Sequence, residues 1–540
     1  MKIKETARFT KTFSFNKVNE MEIKNEILEL NSKKSAGYDT IPAKIVKDSI
    51  SIVSPPLTEL FNISVEECFF PMDLKYANVT PIFKKGDSTN KENYRPISIL
   101  PHISKIFERI LFQQISSYVS SILSPYLCGF RKGYNAQHAL LRLKKKMNIS
   151  LDRKENIGLF MMDLSKAFDC IPHDLLVAKL HAYNFDKNCL KLVYSYLKQR
   201  KQRVKINSEF STWKEILNGV PQGSVLGPLL FNIFINDLFL FVDHSEICNY
   251  ADDNSLTVAD ICIDKIITKL QSDIEKLDEW FKHNMMILNE SKCQFMIIEP
   301  KCVSRENKAI IKIADKSIEE INKGKLLGIT FDNKLTMSDH IKQICKQASK
   351  KLSALARIAQ YIDEQKRKVL MKSFIISQFN YCPIIWMYCQ RKSNNLINRI
   401  HERALRIAYN DYISDFKSLI EKDDTFTIHH RNIQLLLLEI YKSFNNLNPN
   451  IMKEVFSLKQ CNYSLRNQGM DYPNPRTVSY GLETFGYKGS QLWHNLPEEI
   501  RKVTDVLAFK RYVANHCQNT CNCNLCKYYV TNLGYIETIP

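Results

Sequence analysis

Two aspartates stand side by side in "NYADDNSL", residues 249–256, with apolar or aromatic residues leading in and out. Adjacent carboxylates repel, strongly so when partly buried, so the pair predicts something positive nearby. The plainer reading is a solvated loop tip, because Asp and Asn favour turns through hydrogen bonds to local backbone. A third acid, Asp163, closes the short apolar run "IGLFMMDL" at 157–164. Strands often end in Asp before a turn, so Asp163 alone is a weak signal. The three together suit phosphoryl transfer, in which two divalent ions roughly 3.5–4 Å apart clamp the attacking and leaving oxygens of an in-line displacement. Magnesium-like cations take oxygen ligands, usually a few carboxylates plus substrate phosphates. Carboxylates on two adjacent strands could hold both ions, and the ions would offset the repulsion.

The elements that must position these acids follow from periodicity. The apolar run before Asp163 is short and bounded by turn residues, as a buried strand requires. Residues 246–259 split around Asp252 and Asp253 into two short apolar strands. Ile266, Ile267, Leu270, Ile274, Leu277, Trp280 and Phe281 then fall on one helical face. Upstream, "PIFKKGDSTNKENYRPISILP" carries three prolines and many basic residues, which predicts a basic loop between short strands. "ISKIFERILFQQISSYV" and "PHDLLVAKLHAY" read as helices, and "VLGPLLFNIFINDLFLFV" as a buried helix broken too often by polar residues to span a bilayer. The order predicts an α+β fold, an antiparallel sheet covered by helices on one side.

"MMDLSKAFDCIPHDLLVAKL", "GVPQGSVLGPLLFNIFINDL" and "YADD" stand in the order and spacing of the palm motifs of reverse transcriptases. Their wording resembles the enzymes of non-LTR (LINE-type, jockey-like) retrotransposons. "NYRPISILPHISKIFERI", "GFRKGYNAQHAL", "WFKHNMMILNESKCQFMII" and "KLLGITFDNKLTMSDHI" extend the resemblance over roughly residues 20–360. It implies a right-hand polymerase, with an N-terminal helical extension at 1–65, fingers and palm at 66–331, a helical thumb and connection at 332–460, and a loop-rich extension at 461–540. The implied activity is RNA-directed DNA polymerisation, with an RNA template, a DNA primer and dNTPs as partners and two Mg2+ ions as cofactors. Asp163, Asp252 and Asp253 are the implied metal carboxylates, with the Leu164 carbonyl as a further ligand. Phe168 would exclude a 2′-hydroxyl, and Asp169 would be structural. Gly219, Pro221, Gln222 and Gly223 match the "GxPQG" turn, where glycines allow close backbone approach and Gln222 would stand near the nucleotide. Lys84, Lys85 and Arg95 could neutralise triphosphate oxygens, as could Arg131 and Lys132, unless these are solvated loop charges. Lys292 could protonate departing pyrophosphate, or be a surface lysine. "KLLGITF" resembles the hairpin that grips the primer end.

The whole chain is compatible with this. Its 540 residues allow several domains, and 76 Lys+Arg against 57 Asp+Glu give +19, which suits a polyanionic partner. Basic helices follow residue 335, one with Lys342, Lys346 and Lys350 beside an apolar stripe, another at 397–410. They predict a thumb holding duplex phosphates. Sixteen cysteines, mostly single, read as reduced intracellular thiols, and no apolar N-terminal run predicts secretion or a membrane. Residue 1 falls just ahead of the polymerase region, so the expectation is a polymerase without its relatives' endonuclease. Cys517, Cys521, Cys523 and Cys526, with His516 as a substitute, could ligate zinc or form a reduced cluster. Two rival functions remain open: a decayed, non-enzymatic nucleic-acid-binding remnant, and an RNA-dependent RNA polymerase. The latter usually has Gly where this chain has Ala251.

Overall fold

A computed structural model describes residues 11–300, 305, 307–313, 316–457, 470, 472, 474–516 and 521–526. It mixes helix and sheet, about 52% and 16% of residues. The chain divides into two compact units. One comprises 1–130, 163–243 and 273–291; the other 131–162, 244–272 and 292–540.

In the first unit, α1 (Glu20–Leu28) begins with a capping box between Asn19 and Glu22, and packs on α2 (Ile50–Glu66). The basic segment forms a hairpin, β1 (Tyr76–Phe83) with β2 (Tyr94–Ile99), in which Pro81 faces Pro96. The basic loop expected between short strands spans residues 84–93, and Pro81 and Pro96 lie within the strands that flank it. The prolines are tolerated because β1 pairs with the parallel strand β5 (Arg200–Ile206) only over Tyr76–Val79, so Pro81 lies beyond that ladder. Short strands β6 (Glu209–Phe210) and β7 (Lys214–Ile216) complete this sheet against β5.

The same unit holds helices α3 (His102–Val119), α5 (His173–Ala182), α6 (Lys187–Leu197) and α7 (Gly227–Ile235). Every residue of α7 except Pro228 is buried, and a 3₁₀ turn over Asn236–Leu240 ends it. The buried Glu108 carboxylate of α3 accepts from the Val225 and Leu226 amides at 2.6 and 3.1 Å, at the start of α7. Burial nevertheless raises its pKa. Lys179 on α5 donates to Asp237 at 2.7 Å beneath the rings of Phe234 and Trp280, and burial lowers its pKa to about 8.

The second unit holds a four-stranded antiparallel sheet in the order β11 (Gln294–Ile298), β3 (Asn156–Met162), β9 (Asp253–Asp260), β8 (Glu246–Tyr250). All seven residues of β3 are buried, which explains its unbroken apolar run. Gly158 sits in mid-strand because a Cβ there would collide with Ile266 and Leu270 of α8 (Ile263–His283). The glycine lets the helix lie on the sheet. Helix α4 (Ala136–Asp152) packs on β3 and β8 and ties Arg142 to Glu246 at 3.2 Å.

Beyond the sheet come the hairpins β12 (Ile310–Ile313) with β13 (Lys316–Glu319), and β14 (Lys323–Leu326) with β15 (Ile329–Asp332). The buried Asp332 carboxylate accepts from the Lys334, Thr336 and Met337 amides at 2.8–3.1 Å, shaping the turn into α9 (Ser338–Ile358). Helix α9 packs on α10 (Arg391–Tyr409). The tail had been expected to be loop-rich, yet it contains α12 (Phe485–His494) and α13 (Val506–His516). Both pack on α11 (Ile428–Phe444), with Tyr441 stacked on Phe509 at 4.1 Å and Phe444 against Trp493 at 5.0 Å. Thr484 caps α12 by accepting from the Tyr487 amide, a start signal masked by the surrounding glycines and prolines. No described helix is long and apolar enough to cross a membrane.

Candidate active site

The acidic pair occupies the turn between β8 and β9. Tyr250 faces Asp253 and Asn249 faces Asn254, so Ala251 and Asp252 form a two-residue connection. Ala251 has φ 58°, a left-handed conformation that costs a non-glycine residue energy. Two buried asparagines brace the turn from behind. Asn249 Nδ2 donates to the Ala251 carbonyl at 2.9 Å and to Asn254 Oδ1 at 2.8 Å, and Asn254 Nδ2 donates to the Asp252 carbonyl at 3.3 Å. Asp252 and Asp253 are thereby held exposed at the tip. Sequence reasoning missed both asparagines; their places three before and one after the acid pair were the available signal.

Asp163 follows β3 directly. The register pairs Met162 with Asn254 at the end of the ladder; in the sequence Asp163 follows Met162 and Asp253 precedes Asn254. The Asp163 carbonyl accepts from the Asn289 amide at 2.8 Å, and Leu164–Ser165 (β4) pairs with Ile287–Leu288 (β10). In an antiparallel ladder successive carbonyls alternate sides, so the Leu164 carbonyl turns away from β10. Lys292 is exposed in the turn between β10 and β11.

The residues after Asp163 meet the "GVPQG" turn. Phe168 is half-buried, stacked on Phe231 at 4.7 Å and edge-on to Phe130 at 5.5 Å. Gln222 Nε2 donates to both oxygens of Asp169 at 3.1 Å, joining two motifs 53 residues apart. Burial raises the Asp169 pKa, and this hydrogen bond opposes the rise. The glycines of the turn face the protein's own backbone. A Cβ on Gly219 (φ +84°) would stand 2.6 Å from Asp169 Cα, and one on Gly223 (φ +128°) would overlap the Ser98 carbonyl of β2. The Ser98 amide donates to the Gln222 carbonyl at 2.7 Å. His173 Nε2 donates to the Gly219 carbonyl at 2.7 Å, and burial lowers its pKa while that hydrogen bond opposes the fall. Sequence reasoning did not find His173 or Ser98, whose partners are distant in the chain.

Lys84, Lys85 and Arg95 are exposed on the β1–β2 hairpin and form no ion pair among the described residues. Lys132 is exposed, and Arg131 lies over the Tyr134 ring at 4.5 Å. In the β14–β15 hairpin, Tyr381 Oη donates to the Leu327 carbonyl at 2.7 Å. Burial pushes the Tyr381 phenol up to about 12, with smaller contributions from Cys382, Tyr250 and Asp253. On α9, Lys342, Lys346 and Lys350 are exposed, Lys342 at 3.5 Å from Asp339. Cys345 lies in the buried stripe of α9, and Ile344 is half-buried.

Residues 82–331 match the family described as reverse transcriptase (RNA-dependent DNA polymerase). The chain is 28% identical over 398 residues to the probable RNA-directed DNA polymerase from transposon BS of Drosophila melanogaster, covering 71% of this chain and 44% of that one. It is 27% identical to the probable polymerase from transposon X-element of the same fly (72% and 43%). It is 30% identical to the RNA-directed DNA polymerase from its mobile element jockey (60% and 36%). The chain spans less than half the length of each.

Proposed function

With a reverse transcriptase domain similar to those of non-LTR retrotransposons as the premise, we propose that this chain is an RNA-directed DNA polymerase that extends a DNA primer on an RNA template. The observation that carries the reading is the adjacent, exposed Asp252 and Asp253 on the asparagine-braced β8–β9 turn, together with a third aspartate, Asp163, directly after the buried strand β3. On this reading Asp163, Asp252, Asp253 and the Leu164 carbonyl are the ion ligands, all of them oxygen donors of the kind that suits hard cations. Such ions would relieve the repulsion between Asp252 and Asp253 on their exposed turn. Two Mg2+ ions, when bound there, would supply Lewis-acid stabilisation of the attacking and leaving oxygens.

The chain's own residues do the remaining work. The primer 3′-hydroxyl gives its proton to water as its oxygen bonds to the dNTP α-phosphorus, the bond from that phosphorus to the α–β bridging oxygen breaks, and pyrophosphate leaves. Lys292 is the proposed proton donor to that leaving group, while Lys84, Lys85 and Arg95 meet the triphosphate. Phe168, held between Phe231 and Phe130, presents a ring edge against a ribose 2′-hydroxyl. Gln222, oriented by Asp169, lines the nucleotide. The β14–β15 hairpin holds the primer end, α9 and α10 act as the thumb, and fingers and palm span 66–331, thumb and connection 332–460. Residues 1–65 and 461–540 are extensions of this right-hand architecture.

Purified protein with a homopolymer RNA template, a DNA primer and complementary dNTPs tests the reading. Mg2+-dependent extension is expected. A folded protein that binds the duplex yet extends nothing would make the chain a nucleic-acid-binding remnant. Extension with rNTPs in preference to dNTPs would favour an RNA polymerase.

A further inference from the structure

Four ligand atoms converge far along the chain from the acidic turn. One donor each from His429, Cys521, Cys523 and Cys526 lies within 4.8 Å of every other, and all four residues are buried. His429 is the second residue of α11, just after the capping Thr427. Its Nε2 is 3.3 Å from Cys523 Sγ. The Cys526 amide donates to Cys523 Sγ at 3.5 Å, folding the Cys-x-x-Cys step around one sulfur.

The sequence had suggested Cys517 and His516 beside the three other cysteines. Cys517 and the His516 side chain lie outside the described residues. The described fourth donor is His429, 92 residues before Cys521.

A reduced, hydrogen-bonded thiol cluster is the bland alternative. It would bring three buried thiols and a buried imidazole together with no reason for convergence. A tetrahedral zinc ion supplies one. At Zn–S of roughly 2.3 Å and Zn–N of roughly 2.0–2.1 Å, tetrahedral edges are roughly 3.6–3.8 Å. Donors already within 4.8 Å need only a small contraction.

The surroundings fix the Cys loop on a second side. Lys488 Nζ donates to Asn522 Oδ1 at 3.1 Å and pairs with Glu483 at 3.3 Å. The Asn524 amide donates to Glu483 Oε2 at 3.2 Å. The Lys488 ammonium also offsets part of the negative charge that three thiolates leave around a dication.

We propose that His429, Cys521, Cys523 and Cys526 form a closed, structural Zn2+ site that fastens residues 521–526 to the start of α11. Four protein ligands leave no open position for a substrate, so the site is a clamp and not a second catalytic centre. It closes the segment containing α11, α12 and α13. The proposal does not depend on the polymerase reading, and its test uses no activity.

Full-length protein, purified without chelator, should contain about one zinc ion per chain by elemental analysis. Replacement by Co2+ should give the visible d–d bands of tetrahedral thiolate coordination, and a chelator should lower the melting temperature. C523S and H429A should lose the metal, H429C should keep it with a shifted Co2+ spectrum, and C262S, at an exposed cysteine, should match the wild type. The wild-type measurements need no variant, so a misfolded variant leaves the test intact. Zinc-replete wild type without a stoichiometric ion overturns the proposal. So does full retention in folded C523S, or loss in H430A with retention in H429A.

Discussion

The acidic turn and helix α9 both carry clustered exposed charge, but they are built in opposite ways. Asp252 and Asp253 stand on a two-residue connection with a strained Ala251, braced by Asn249 and Asn254 through three hydrogen bonds. Lys342, Lys346 and Lys350 extend from a regular helix whose other face is buried. Coordination tolerates displacements of tenths of an ångström, whereas phosphate attraction acts over a Debye length of about 8–10 Å. The turn therefore requires a supporting shell. The helix requires only a charged face.

The contrast predicts a steep order of mutational effects. Asp252→Asn or Asp163→Asn should lower primer extension by at least ~10²-fold while duplex affinity stays nearly intact, because transition-state stabilisation is lost without unfolding the sheet. Near wild-type extension in either variant would remove the two-ion assignment.

Asn254→Ala tests the brace itself. It leaves the buried Asn249 amide without one of its two partners, a cost of about 1–3 kcal/mol, so the melting temperature should fall. Extension should fall further than the same loss of stability causes elsewhere. Equal extension rates for N254A and wild type, at a temperature where both are folded, would show that the turn holds its shape unaided.

Phe168→Val should alter selectivity and spare the overall dNTP rate. Incorporation of rNTP relative to dNTP should rise about tenfold or more, a difference of about 1.4 kcal/mol at the sugar. Steady-state incorporation of the two nucleotide types measures it. An unchanged ratio would make Phe168 a core ring held by Phe231 and Phe130.

The smallest effect belongs to the helix. In the triple variant Lys342→Gln, Lys346→Gln, Lys350→Gln, single-nucleotide addition at saturating duplex should barely change. The slope of log affinity against log salt should flatten by roughly 0.9 for each phosphate that is no longer neutralised, on the duplex-DNA scale, and products should shorten. Fluorescence anisotropy at several salt concentrations gives the slope. No change would mark these lysines as a solvated face.

Some of the molecule was legible before any tertiary information. The seven-residue β3, the split at Asp252–Asp253, and the stripe through Ile266, Leu270, Ile274, Leu277 and Trp280 all appeared from local periodicity, because each encodes its burial within a few residues. The three aspartates were legible for the same reason, since each ends or begins an apolar run. The basic loop between short strands was legible too, but not how far β1 and β2 extend past their prolines, because whether a missing amide matters depends on where the neighbouring ladder stops. The helices α12 and α13 were hidden because they are stabilised by burial against α11, a partner tens of residues away.

Side-chain pairing was out of reach altogether. Gln222 on Asp169, Tyr381 on Leu327 and His429 among three cysteines join positions 53, 54 and at least 92 residues apart. Composition and spacing supply the groups that could bond, bind ions or ligate. Which of them meet is decided by strand register and helix packing, since a hydrogen bond or a metal site forms only where the folded backbone brings its donors within a few ångströms.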